Sequence, residues 1–120
     1  SGWPLVPVPL HRHRLRWRRF NQSAEIARAL GKGVNLPVIE ALARPRATQT
    51  QTRLTREERL QNLSGAFAIS SAGRKMFDRL QRGAIVVDDV LTTGATAHEC
   101  ARVLVRAGVQ KVVVVTVMRG

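Results

Sequence analysis

The apolar and polar positions of the 120 residues change period along the chain. Near the end, "AIVV" (84–87) and "KVVVVTVM" (111–118) are continuous β-branched runs, which predict strands buried on both faces. Between them Ala97, Cys100, Ala101 and Leu104 share one helical face, while His98, Arg102 and Arg106 fall on another. Gly108 is placed to stop that helix. Strand, helix and strand at this spacing make a βαβ unit with a right-handed crossover. The fold class is therefore α/β.

The earlier part is less regular. "LVPVPL" (5–10) is β-prone, but Pro7 and Pro9 cannot donate to a ladder, so a strand should finish there. In "NQSAEIARALGKG" the spacing predicts a helix capped by Asn21 or Ser23. Its apolar stripe is Ile26, Ala27 and Leu30, and Gly31 or Gly33 ends it. A short extended piece follows around Val34 to Ile39. "RPRATQTQTR" (44–53) has no apolar period and reads as a mobile loop. "TREE" (55–58) is a capping-box pattern opening a short helix to about Asn62. "GAFAIS" predicts a brief strand, and "SAGRKMFDRLQRG" a turn leading into a linker.

Composition narrows the class. One domain of this length can bury a real core. No run approaches the roughly 20 apolar residues that a bilayer demands, so no membrane partner is expected. The start lacks a secretory pattern and reads as the approach to a strand, so the chain is expected to be a piece of something longer. Cys100 is the single cysteine, which excludes an intrachain disulfide and a cysteine-cluster zinc site and fits a reducing cytoplasm. It is expected to pack in the core. The net charge of +12 and the sequence pI near 11.8 favour polyanions or phosphorylated ligands. Arginine dominates that charge, and guanidinium suits phosphate oxygens bidentately.

The chemistry concentrates in "AIVVDDVLTTGATAHECARVL" (84–104). Ligands of open parallel sheets sit beyond the carboxyl ends of the strands, where Asp88 and Asp89 fall. The loop "LTTGAT" then runs into a helix whose first N–H groups lack intrahelical partners and receive a phosphate readily. Thr92, Thr93 and Thr96 add hydroxyl donors, and Gly94 lets the backbone come close without a Cβ in the way. Carboxylates beside a phosphate make sense if they accept hydrogen bonds from sugar hydroxyls, so the matching ligand is a ribose 5-phosphate. A P-loop is excluded because its Gly-Lys-Ser/Thr ending is absent, and a dinucleotide fingerprint because G-x-G-x-x-G is absent. A phospho-acceptor receiver would need a further Asp after a later strand, and the later strand ends "TVMRG".

"IVVDDVLTTGATA" resembles the phosphoribosyl pyrophosphate (PRPP) signature of type I phosphoribosyltransferases. With "PVPLHRHRLRWRRFNQ" and "RPRATQTQTRLTREERLQNLSGAF", nearly the whole chain resembles one branch, the competence protein F (ComF) family. The resemblance implies a parallel sheet flanked by helices with a flexible hood loop, and transfer of a phosphoribosyl group. Asp88 and Asp89 would bind the ribose hydroxyls, and Thr92, Thr93, Gly94, Ala95 and Thr96 the 5-phosphate. Leu10 to Arg14 would form the pyrophosphate loop, and the hood would carry Arg46, Thr48 and Gln51, with Arg59 beyond. Mg²⁺ would be held through the ligand rather than by a protein cage. Arg12, Arg14 and Arg46 are the candidates for stabilising the leaving pyrophosphate. Two departures stand out: Arg19 replaces a usual Gly, and the family's zinc module and a preceding helix are missing.

No base for the incoming nucleophile is assigned among His11, His13 and His98, and His98 is expected to face solvent. Two other classes stay open. One is a PRPP- or nucleotide-sensing module on the same fold. The other is a single-stranded-DNA interaction protein of the competence machinery, with Trp17 and Phe20 stacking bases among arginines.

Overall fold

A computed structural model describes residues 2–9, 22–44, 66–89 and 94–117. In chain order these form β1 (Leu5–Pro7), α1 (Gln22–Val34), β2 (Leu42–Ala43), β3 (Ala68–Ile69) and α2 (Ser71–Lys75). They continue with α3 (Phe77–Leu80), β4 (Ala84–Asp89), α4 (Gly94–Ala107) and β5 (Val112–Val117). β1, β4 and β5 make a parallel sheet with β4 central, in register Leu5 with Ile85 and Ala84 with Val112. β2 and β3 form a separate antiparallel pair. The α/β expectation holds: a parallel sheet is flanked by helices. The predicted helix at 55–62 and most of the polar loop lie outside the described residues.

Alternation in the strands divides the core between two faces. Leu5 and Val87 turn to α1, where they meet Ala27, with Ile26, Leu30 and Ile85 half-buried around them. Val6, Val8, Ala84 and Val86 turn to the other face and pack with Ala97, Cys100 and Leu104 of α4. The expected stripes are those that pack, except that Ala101 is only half-buried and joins neither cluster. Pro7 fits its strand for a definite reason. Val8 N donates to Val87 of β4, whereas Leu5 N donates away from β4, to Pro37. The donor that Pro7 lacks would also point away from β4. The extended piece expected after α1 reduces to a bridge between Val38 and Leu5, with Val34 still helical.

Four expectations need correction. α1 does not end at Gly31 or Gly33; it runs to Val34 and stops on Asn35, at φ 56°. Leu36 N then donates to Gly31 O at 2.9 Å, the 6→1 closure of a left-handed helix stop, which asparagine enters at low cost. Ser23 is buried inside the first turn rather than capping it, and Asn21 lies outside the described residues.

The segment after β3 is not a turn and linker but two short helices. Ser70 caps α2, accepting from Gly73 N at 3.0 Å, while its hydroxyl donates to Glu40 O at 2.7 Å. Leu80 at the end of α3 is fully buried. β5 is not buried on both faces: Val113 and Val114 are 46% and 39% exposed. Among the described residues it is the sheet's edge, and a β-branched run alone does not distinguish an edge from a centre. Gly108 ends α4 as expected, at φ 115°.

A close approach yields a test. A Cβ on Gly73 would stand 2.5 Å from the carbonyl oxygen of Ala41, whereas one on Gly33 meets nothing within 4 Å. Gly73→Ala is expected to cost about 1–3 kcal/mol and Gly33→Ala to stabilise by about 0.5–1 kcal/mol. Urea midpoints of the two variants moving in the same direction would contradict the packing.

Candidate functional site

β4 carries the acidic pair within the strand itself: Asp88 lies opposite Thr116 and Asp89 opposite Val117 in the ladder with β5. Asp88 is 2% exposed, on the face shared with Ala84 and Val86, toward α4. It is a buried carboxylate at the carboxyl end of the central strand. The side chain of Asp89 lies outside the described residues. α4 opens at Gly94, with Ala95 and Thr96 in its first turn, and Thr96 is partly exposed. The end of β4 and the start of α4 are thus separated by residues 90–93 alone.

One turn along α4, Cys100 is fully buried. Burial pushes its thiol far above the usual range, the negative charge of Asp88 pushes it further, and Arg44 pulls it back. An acid and a guanidinium therefore both reach the neighbourhood of Cys100. Such a thiol is a packing group, as expected from its helical face, and not a nucleophile.

Arg44 is a residue that the sequence reading did not single out. It follows β2, and the β2–β3 register, Ala43 with Ala68, makes Phe67 the residue opposite it. Its guanidinium lies over the Phe67 ring, 5.1 Å from the centroid, in the favourable range for a cation–π contact. Phe67 belongs to the same buried cluster as Ala97 and Cys100, so the contact ties the β2–β3 pair to the start of α4. The available signal was an arginine directly after the apolar "ALA", with a lone phenylalanine beyond the loop.

The other expected positions are distributed as follows. His98 is exposed, as expected, and Arg102 pairs with Glu99 on the same helix, Nε donating to Oε2 at 3.0 Å. That bond raises Arg102 further above its ordinary range. Thr92, Thr93, Arg12, Arg14, Arg46, Thr48, Gln51 and Arg59 lie outside the described residues. Among the described residues, no three side chains of metal-binding type gather, and no helix is long and apolar enough to cross a membrane.

Over 110 residues the chain is 33% identical to competence protein F of Haemophilus influenzae, covering 90% of this chain and 46% of the relative. It is 40% identical over 108 residues to the DNA utilization protein YhgH of Escherichia coli K12, covering 87% and 44%. Competence protein ComFC of Bacillus subtilis is 31% identical over 109 residues, covering 87% and 39%. This homology supports membership of the competence protein F family. The chain spans less than half the length of these relatives. No family model matches it, and no solved structure does.

The state of Cys100 is directly measurable. Its folded-state pKa is raised, so the folded chain keeps a proton that the unfolded chain releases above about pH 8.5. Its contribution is therefore complete below that pH. Above it, stability falls by up to about 1.4 kcal/mol per pH unit. The native thiol is expected to be inert to Ellman's reagent at pH 8 and to react once unfolded in urea. Cys100→Ala should lose less stability between pH 8 and 10 than the parent. Rapid labelling of the native chain would contradict the burial.

Proposed function

We propose that this chain is a ligand-binding module acting in DNA uptake or use, with a site for a 5-phosphorylated ribose at the carboxyl end of β4. PRPP and a nucleotide are the ligands of that class. The observation that carries the reading is the junction of β4 with α4, where a carboxylate ends the central strand and a helix N-terminus follows at once. Partial positive charge from the first N–H groups of α4 and the Thr96 hydroxyl suit the phosphate. Asp88 and Asp89 suit the diol, and Asp88 would need a small outward movement from its buried position to do so. The role in DNA use is supported by the names of the relatives, competence protein F and DNA utilization protein. The lone buried cysteine suits a reducing compartment.

In this proposal Mg²⁺ enters on the ligand's own phosphates, whose charge it neutralises. Phosphoribosyl transfer is the second reading, favoured by the signature "IVVDDVLTTGATA" with its flanking arginine-bearing blocks. It requires Arg12, Arg14 and Arg46 around the leaving pyrophosphate, an acceptor, and a loop that excludes water.

Thermal unfolding tests the ligand class. PRPP with Mg²⁺ at 100 times its Kd is expected to add about 2.7 kcal/mol, a rise of several degrees in Tm. Asp89→Asn and Thr96→Val should each reduce that shift, and ribose without phosphate should give none. A parent chain with no response to PRPP or to nucleotides would overturn the site. Pyrophosphate release with a panel of bases and amines separates the two readings, since a binding module releases none.

A further inference from the structure

The opposite end of the sheet from the candidate site holds a second charged surface. Lys75 of α2, Arg79 of α3 and Arg82 in the following turn recur at i, i+4 and i+7, with Arg74 beside them. Arg106 in the last turn of α4 and Lys111 just before β5 come from another part of the chain. The fold joins the two groups. Gln110 N donates to Gln81 O at 2.9 Å and Ala84 N to Lys111 O at 3.0 Å, so the turns before β4 and β5 lie side by side. A Cβ on Gly108 would stand 3.3 Å from the Phe77 ring, so the end of α4 also lies against α3.

All six cations are exposed, and Asp78 is the one acid on α2 and α3. Among the described residues none of the six has a carboxylate within 4.0 Å, whereas Arg28 pairs with Glu25 and Arg102 with Glu99. The length of β4, about 20 Å of strand, separates Arg82 and Lys111 at its start from Asp88 and Asp89 at its end.

We propose that this face binds the phosphate backbone of a nucleic acid, independently of the ribose-phosphate site. The choice of nucleic acid rests on the proposed role in DNA use; the surface itself rests on the charges. Four of the six groups are guanidinium, which fork onto phosphate oxygens. Two aromatics stand at this end, Phe77 against the end of α4 and Trp3 beside Gly83, and both are half-buried rather than exposed. Binding therefore reads backbone rather than bases and is independent of sequence. An anionic membrane would need apolar groups to insert, and Val105 is the one exposed large apolar residue next to the six in sequence.

The test is the anisotropy of labelled 20-nucleotide single strands and duplexes of two unrelated sequences, titrated from 50 to 200 mM salt. The parent should bind all of them, with affinity falling steeply with salt. Arg79→Ala/Arg82→Ala/Lys111→Ala removes three contacts. It should lower the slope of log K against log salt by about 2 to 3 and weaken binding at least tenfold at 50 mM. Arg28→Ala/Lys32→Ala on α1 should leave binding unchanged, and the triple variant should keep the Tm shift with PRPP and Mg²⁺. A parent that binds no oligonucleotide overturns the proposed role in DNA use together with this inference. A parent that binds while the triple variant binds equally well overturns the inference alone. Loss of binding to phosphatidylserine vesicles, with oligonucleotide binding intact, would reassign the face to membranes.

Discussion

A strand hydrogen-bonded along both edges and covered on both faces is a costly place for a carboxyl group, and β4 ends by holding one there. Val86 and Val87 are wholly buried, one on each face, and Asp88 follows at nearly the same depth. Burial of an ion without compensation costs several kcal/mol, so the chain must place partners or dipoles around it. The structure brings the start of α4 to that end of the strand, and Arg44 near enough to oppose the charge of Asp88 at Cys100. The proposed ribose-phosphate site follows from this arrangement. A group that is expensive to bury and is nevertheless buried beside a helix N-terminus is a functional candidate on physical grounds.

The same burial qualifies the ribose reading in a useful way. An acid that accepts from a diol must be reached by the diol, and Asp88 in this conformation is not. A ligand would then gain from contacts made only after the carboxylate is uncovered, which is differential affinity for one conformation.

How much of this was legible beforehand depends on what kind of signal each element carries. The βαβ unit was readable because Ala97, Cys100 and Leu104 repeat at helical spacing between two β-branched runs. α2 and α3 were missed because they are short, and their formation rests on tertiary contacts: Ser70 reaching back to Glu40, Gly73 against Ala41 and Leu80 in the core. The exposure of β5 was unreadable for a similar reason, since four valines in a row look the same at an edge and at a centre. The stop of α1 at Asn35 was hidden by two nearby glycines that look like better stops. At the site, Asp88 and Thr96 were identified by spacing alone, but the depth of Asp88 was not, because burial depends on the helix packed above it. Arg44 became visible only when the β2–β3 register set it opposite Phe67.

Parallel strands impose a polarity that bears on the two charged ends of the molecule. Their carboxyl ends gather at one pole with the start of α4, and their amino ends at the other with its finish. A helix C-terminus carries partial negative charge, so basic residues are expected there for purely structural reasons, at about 0.3–1 kcal/mol each within the last turn. Arg106 in α4 is accounted for in this way. Arg82 and Lys111 lie outside any helix, and Arg74 and Lys75 belong to a helix of five residues, whose dipole is slight. Helix dipoles thus explain a minority of the six cations, and mutual repulsion opposes the remainder. A surface that keeps like charges together against that repulsion, with no carboxylate of the described residues within 4.0 Å of any of the six, is better explained by a polyanion outside the chain than by anything within it.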